Sequence, residues 1–457
     1  MKKLRVAVIG AGPAGVYAAD ILTKAEKDFD VSIDIFDRYP APFGLIRYGV
    51  APDHPRIKGI ITALHKVMDR GDIRFIGNVD YGTDLSLEEL QQRYHAIIFA
   101  TGAIKDADLD IKGIELEGSF GAADFVSWYD GHPDVSRSWP LEAKEIAVIG
   151  NGNVALDVAR MLAKHADDLL STEIPDNVYQ GLQQSPVTDV HVFGRRGPAN
   201  IKFTPLELRE LGNVPDVDIV LYPEDFDLDE EDMAEIESNN QTKTMMKTLQ
   251  NWLLDDEGTG ASRRLHLHFL HNPVEIKGED GKVTGIKFER NKLAGAGKVE
   301  ATGEYQEYPV QAVYRAIGYF GSELDQIPYD HQKGVILNDE GRVIDTDGKA
   351  LEGLYCTGWI KRGPVGLIGH TKSDAMETIK HLTEDVDASR MPEIEDTDED
   401  SILKLLEDKG IKYTTWDGWL ALDEHEKSLG AAYEGVERER IKVVPRDEMV
   451  EISRKEQ

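Results

Sequence analysis

Two glycine-rich turns, Gly10-Ala11-Gly12-Pro13-Ala14-Gly15 and Gly150-Asn151-Gly152-Asn153-Val154-Ala155, carry the residue types that let a backbone cradle a pyrophosphate. In such a turn the first glycine permits the tight bend, and the second lets the main chain approach the phosphates. The third lets the following helix lie close to the preceding strand, and here Ala155 takes that place in the second turn. The helix start then offers free amides and the positive end of its dipole to the anion. The two turns part company at the end of the next strand. Asp37 stands about 22 residues beyond Gly15, at the acidic position that bonds ribose hydroxyls and repels a 2′-phosphate, which suits FAD or NAD. Beyond the second turn Arg195 and Arg196 stand where the acid would be, and two guanidiniums offer forked donors to the 2′-phosphate of NADP. They lie about 40 residues after Ala155, roughly double the usual spacing, and an excursion over residues 167–186 absorbs the excess.

The elements that must position these groups can be read around them. Residues 4–9 and 31–36 are strand-like on either side of the first turn, with helical rhythm over 16–22; residues 146–149 and 187–193 flank the second, with a helix continuing over 156–163. Two such units predict an α/β protein with two Rossmann-like, three-layer nucleotide-binding domains. FAD on the first and NADP(H) on the second imply hydride movement between nicotinamide and flavin, after which electrons leave the flavin one at a time.

Composition narrows the classes further. At 457 residues the chain is too long for one core, so two domains are expected. Its single cysteine, Cys356, excludes an intrachain disulfide, a Cys-x-x-Cys redox pair and a four-cysteine iron–sulfur site, and with them disulfide-reductase chemistry. With 84 acidic against 52 basic side chains the net charge is −32, which argues against nucleic acid and anionic membrane surfaces as partners. No apolar run is long enough to span a membrane. The chain enters its first strand within a few residues of Met1, so the reading is of a cytoplasmic protein of unknown oligomeric state.

Beyond the glycine turns come longer signatures: Pro42-Phe43-Gly44-Leu45-Ile46-Arg47-Tyr48-Gly49-Val50-Ala51-Pro52-Asp53-His54-Pro55, Gly194-Arg195-Arg196-Gly197-Pro198, Phe203-Thr204-Pro205-Leu206-Glu207-Leu208-Arg209-Glu210-Leu211, and Gly358-Trp359-Ile360-Lys361-Arg362-Gly363-Pro364-Val365-Gly366-Leu367-Ile368-Gly369. With these the chain resembles, over nearly its whole length, the ferredoxin–NADP+ reductases of the adrenodoxin reductase type, particularly the bacterial FAD-containing members. The resemblance implies that Ala14, Asp37, Leu45 and Val79 touch FAD, and that Trp359, Gly366, Leu367 and Ile368 cover the flavin end. It implies that Asn151, Gly152, Asn153, Val154, Arg195, Arg196, Glu207 and Gly366 hold NADP, and that the acceptor is a ferredoxin-like iron–sulfur protein.

Catalytic candidates under the same resemblance are His54, Asp157 and Glu210, gathered near the flavin to manage a proton. From the residues alone, His54 equally bonds a loop and Asp157 favours a helix start. Two positions depart from the family pattern: Asp37 stands where glutamate is common, and Ala107 where bacterial relatives carry an arginine on NADP, with Lys105 the nearest cation. A basic rim of Lys202, Arg209, Lys361 and Arg362 is the expected docking surface for an acidic partner. Two other readings stay open: a diaphorase or oxidase acting on a small quinone or oxygen, and a non-catalytic flavin subunit of a redox complex.

The NADP domain is expected as an insertion, residues 104–318, into an FAD domain split between 1–103 and 319–390. Acidic surface loops are expected over 223–237 and 255–262. An acidic linker and a helical appendage fill 391–457, with helical spacing over 401–409 and 420–429.

Overall fold

The computed structural model describes residues 3–255, 257–366 and 368–455. The chain divides into two compact units: Met1–Lys105 with Asp130–Asp134 and Tyr319–Gln457, and Asp106–Tyr129 with Val135–Gly318.

In the first unit a seven-stranded sheet runs in the order Asn338–Asp339, Arg342–Ile344, Ala350–Cys356, Ala96–Phe99, Lys3–Ile9, Asp30–Phe36, Ile73–Ile76. The five strands from Ala350–Cys356 to Ile73–Ile76 are parallel. Parallel strands covered on both faces read as unbroken apolar runs, and Leu4 to Ile9 are all buried. One face packs against the helix Pro13–Lys24 through Val16, Ala19 and Leu22, with Ala375, Ile379 and Leu382 of the helix Ile368–Asp387 in the same core. The other face holds Ile97, Phe99, Leu354 and Cys356. Cys356 is wholly buried, and burial pushes its thiol well above the ordinary range, as an inert structural cysteine requires.

The C-terminal segment is built into this unit instead of being appended to it. Ile402 and Leu406 of the helix Ser401–Asp408 join one core; Trp419 and Leu422 of the helix Trp416–Ala431, and Met449 of the helix Arg446–Arg454, join the other. The acidic stretch before them is tied down by hydrogen bonds. Glu395 and Asp396 donate their N–H groups to the Gln92 carbonyl (3.1 and 3.0 Å), and Arg74 pairs with Asp400 at 2.7 Å. Residues 130–134 belong to this unit for a similar reason: Asp130 O accepts from Lys442 Nζ (3.0 Å), His132 packs edge-on against Tyr39, and Asp134 pairs with Arg446 at 2.7 Å.

The second unit carries a six-stranded parallel sheet, in the order Ser119–Gly121, Ala312–Arg315, Glu145–Ile149, Asp189–Phe193, Arg263–His268, Val217–Leu221. A three-stranded antiparallel sheet of His271–Glu279, Lys282–Leu293 and Val299–Tyr308 packs on it through Phe193, Ile286 and Phe288. The excursion that lengthens the second nucleotide unit holds a 3-10 turn, Ala166–Leu169, and a helix, Asp176–Gln183. The acidic stretch expected as a loop over 223–237 is mostly helical, with a 3-10 turn Pro223–Phe226 and a helix Glu230–Ser238. Its acids explain the difference: the Asp229 side chain accepts the Asp232 N–H at 2.7 Å, and Glu230, Glu231 and Asp232 fill the first turn, where the dipole favours negative charge. Residues 255 and 257–262 are irregular apart from bends, and Asp256 lies outside the described residues. Among the described residues no helix is long and apolar enough to cross a membrane.

Candidate nucleotide-binding sites

Each unit carries one glycine turn where its central strand ends, the place where open parallel sheets bind ligands. In the first unit Gly10 has φ +113°, and a Cβ there would run into the Ala100 carbonyl; a Cβ on Gly15 would run into the Gly10 carbonyl. These two glycines are required by the fold itself. Gly12 is different, since a Cβ would meet nothing nearer than Gly44 Cα at an ordinary 3.6 Å. The helix start beside it has no side-chain cap, which leaves amides for a phosphate to use.

Asp37 closes the second strand with 6% of its surface exposed. Its Oδ2 accepts the Ala11 N–H at 3.0 Å and its Oδ1 the Tyr39 N–H at 2.9 Å, so the acid is locked to the glycine turn. Burial pushes this carboxyl up to about 6, against the opposing pull of those two backbone bonds and of Arg38 and Arg446. Each carboxylate oxygen keeps a further acceptor site for a ribose hydroxyl. Val79 donates its N–H to the Asp37 carbonyl at 2.9 Å. The Phe43 N–H donates to Ala11 O at 2.8 Å and brings the Pro42–Pro55 signature against the turn, with half-buried Leu45 next in line. On the other side Gly358, φ +75°, presses so close to Ala14 that a Cβ would lie 2.6 Å from the alanine methyl; half-buried Trp359 follows at once. Gly10, Gly12, Ala14, Gly15, Asp37, Leu45, Val79 and Trp359 thus gather around one turn. Gly366 is exposed with φ +88°, and Ile368 opens the helix Ile368–Asp387; Leu367 lies outside the described residues. His54 is 5% exposed and caps the short helix Pro55–Lys58, donating its N–H to Ala51 O.

In the second unit Gly150, φ +144°, sits against the Ala316 carbonyl, whereas a Cβ on Gly152 would meet nothing within 4 Å. Protein packing does not demand that glycine; an approaching phosphate would. The helix Asn153–Ala163 has neither a side-chain cap nor an acid in its first turn. Asn151 O accepts the Lys202 N–H (3.1 Å) and Asn153 Oδ1 the Thr204 N–H (3.3 Å), which seats the helix Pro205–Leu211 beside the turn. Glu207, 7% exposed, and half-buried Glu210 stand on that helix, and Val154 is half-buried. Asp157 pairs with Arg160 at 3.0 Å, so part of its work is to neutralise a buried guanidinium. Arg195 and Arg196 are both exposed, and neither has an ion-pair partner among the described residues. Ala107 offers no side-chain donor, and Lys105 is exposed.

The basic rim is thinner than expected. Lys361 is buried against Glu377 (2.5 Å) and Asp374 (3.6 Å), and Arg362 is ion-paired with Asp374, so neither charge is available to a partner. Lys202 and Arg209 are exposed. Sequence reading also missed the support beneath the first turn. Arg47, inside the signature loop, donates from Nη1 and Nη2 to Glu426 at 2.8 and 2.7 Å, and its carbonyl accepts from Lys442. A partner 379 residues away leaves no local pattern to find.

Comparison with known proteins agrees with this architecture. Residues 4–190 match the family model for pyridine nucleotide-disulphide oxidoreductases. The chain is 38% identical over 465 residues to the NADPH-ferredoxin reductase FprA of Mycobacterium tuberculosis, covering 99% of each chain. It is 38% identical over 445 residues to the mitochondrial NADPH:adrenodoxin oxidoreductase of Arabidopsis thaliana, covering 94% of this chain and 92% of that one. The solved structure of M. tuberculosis FprA in complex with NADPH superposes with a TM-score of 0.90 at 37% identity, covering 99% of this chain and 100% of that one. Two parallel-sheet units, one inserted in the other, and full-length likeness to these reductases place the chain in the ferredoxin–NADP+ reductase family of the adrenodoxin reductase type.

Proposed function

We propose that this protein takes electrons from NADPH and delivers them through FAD to a ferredoxin-like iron–sulfur protein in the cytoplasm. One observation carries the cofactor assignment: in a chain with 84 acids, two adjacent exposed arginines beside an open glycine turn have no carboxylate partner among the described residues, while the matching place in the other unit holds a buried carboxylate. Unpaired guanidiniums there suit an external 2′-phosphate. The carboxylate suits an unphosphorylated ribose.

FAD, when bound, accepts a hydride from the nicotinamide and releases electrons singly. The first unit's residues would hold it: Gly12 would open the backbone to the pyrophosphate, Asp37 would bind the ribose, Ala14, Leu45 and Val79 would touch it, and Trp359 with Gly366, Leu367 and Ile368 is proposed to cover the flavin end. In the second unit Asn151, Gly152, Asn153 and Val154 would receive the NADP pyrophosphate and Arg195 and Arg196 its 2′-phosphate; Glu207, and Gly366 of the first unit, are also proposed to hold NADP. Hydride transfer depends on how these residues align donor and acceptor. His54, Asp157 and Glu210 are the groups proposed to hold or move a proton.

Anaerobic stopped-flow mixing with NADPH is expected to bleach the flavin absorbance, and ferredoxin is expected to stimulate cytochrome c reduction. Turnover indifferent to ferredoxin would favour the diaphorase reading; a yellow protein inert to NADPH would favour the non-catalytic one. Arg195→Ala with Arg196→Ala is expected to erode the preference for NADPH over NADH by about 1–3 kcal/mol. Ratios of kcat/KM for the two coenzymes, with ferricyanide as acceptor, measure it, and an unchanged ratio would mean that the second nucleotide lies elsewhere.

A further inference from the structure

We propose that Asn291 is a positioning residue for coenzyme choice: its side-chain amide, together with the strained turn at Leu270, fixes the backbone that aims Arg195 and Arg196. The inference rests on the proposed role of those arginines.

Residues 194–197 lie between the strand Asp189–Phe193 and the 3-10 turn Pro198–Asn200 and belong to neither element. Two exposed guanidiniums on an unsupported loop would sample many directions, and a phosphate would have to order both. The backbone is not unsupported. Gly194 donates its N–H to His268 O at 2.8 Å and accepts from the His271 N–H at 3.0 Å, and Arg196 O accepts from the Leu270 N–H at 3.0 Å. The remaining carbonyl, Arg195 O, accepts from Asn291 Nδ2 at 3.0 Å. That oxygen belongs to the peptide joining the two arginines, so its direction sets the plane from which both side chains leave.

The donors are themselves braced. Leu270 has φ +60°, a conformation that a non-glycine residue holds only when its surroundings impose it. With that backbone its N–H meets Arg196 while its carbonyl accepts the Asn291 N–H at 2.8 Å. Next to Asn291, Arg290 donates to Phe269 O (3.2 Å) and Glu224 O (3.0 Å), closing the other side of the same turn. Asn291 is 6% exposed and lies where the pairing of Lys282–Leu293 with Val299–Tyr308 shifts between Glu289 and Asn291. A buried amide whose N–H and Nδ2 bridge two turns is a connection between them.

The test uses the flavin-loaded protein, with ferricyanide as acceptor and NADPH or NADH as donor. Asn291→Leu, with the same branching but without a donor, is expected to raise the KM for NADPH about five- to twentyfold while kcat and the NADH kcat/KM stay within about twofold. Asn291→Asp, which turns an oxygen toward the Arg195 carbonyl, is expected to do the same or more, and serves as well if the leucine variant folds poorly. Added to Arg195→Ala with Arg196→Ala, Asn291→Leu is expected to change the remaining preference by less than about twofold, because groups acting through one another are not additive. Equal losses with both coenzymes, or independent multiplication in the triple variant, would overturn the inference. If the arginine variant lowers the preference and Asn291→Leu does not, this inference alone falls; if the arginine variant leaves the preference intact, the reading of the second nucleotide falls and takes this inference with it.

Discussion

Glu426→Ala is expected to destabilise the first unit by about 3–5 kcal/mol, the range for breaking a buried ion pair by removing one partner. Glu426 is wholly buried, and its carboxylate accepts from both Nη atoms of Arg47, from Arg440 Nη1 (3.2 Å) and from the Val443 N–H (2.8 Å). Taking it away leaves Arg47, 3% exposed, with a charge and no carboxylate across from it, packed between the rings of Tyr48 and Trp419. The consequence reaches the signature loop because Arg47 lies between Leu45 and His54. We therefore expect the melting temperature to fall by roughly 10 °C, and retention of FAD on dilution into mild chaotrope to fall with it. Glu426→Gln, which keeps the shape and one acceptor, should lose less. A drop under about 3 °C for the alanine variant would show that solvent or a rearranged Arg440 replaces the pair.

Acidification from pH 7.5 to 5 is expected to loosen the second unit before the first. Four buried histidines cluster there, three on the parallel strands Asp189–Phe193 and Arg263–His268 and the fourth, His271, at the start of the antiparallel strand His271–Glu279. His191 lies opposite His266 in the register, with rings stacked 4.1 Å apart, and His268 follows two residues on along the same face. His191 Nδ1 and His268 Nε2 are 2.9 Å apart, so they share one hydrogen, and adding a second proton there sets two cations against each other. His266 lies between Asp189 and the Tyr222 hydroxyl, each at 2.8 Å, and His271 meets the Tyr308 hydroxyl. Burial is the main reason that His191 is held down to about 3 and His271 to about 4, with His266 and His268 also lowered.

The sign comes from proton counting. The folded protein keeps these rings neutral, whereas the unfolded chain takes up protons near pH 6.5, so stability is full above that pH and is lost as the pH falls towards the folded values. At pH 5 the linkage comes to about 2 kcal/mol for His191 and about the same for His271. Asp106, which burial pushes up to about 6, works in the opposite sense by a smaller amount. Amide exchange in Asp189–Phe193 and Arg263–His268, corrected for intrinsic rates, should speed up at least tenfold more than in Lys3–Ile9. His191→Asn, which keeps a donor and cannot titrate, should flatten part of that difference; equal acceleration in both sheets would contradict the assignment.

The two nucleotide units were legible in the sequence because a glycine turn is a local device. Gly10 (φ +113°) and Gly150 (φ +144°) hold turn conformations that favour glycine and Gly15 lies against the Gly10 carbonyl, all local features, and Asp37, Arg195 and Arg196 stand at strand ends that periodicity locates to within a few residues. The acidic run over 223–237 misled because charge composition was read as solvation, while the same carboxylates at a helix start stabilise the helix. The basic rim misled for a related reason. Lys361 and Arg362 look available in sequence, and only folding brings Asp374 and Glu377 of the next helix against them.

Taken alone, the sequence determined the fold class, the number of glycine turns and the sign of the charge that stands at the strand end beyond each, because all of these depend on residues close together in the chain. The tertiary structure decided which charges remain free, that the C-terminal helices complete the first core, and that Asn291 and Glu426 each brace a turn 96 and 379 residues away. Those outcomes depend on burial and on pairing across long separations. Neither can be read from one chain until it has closed on itself.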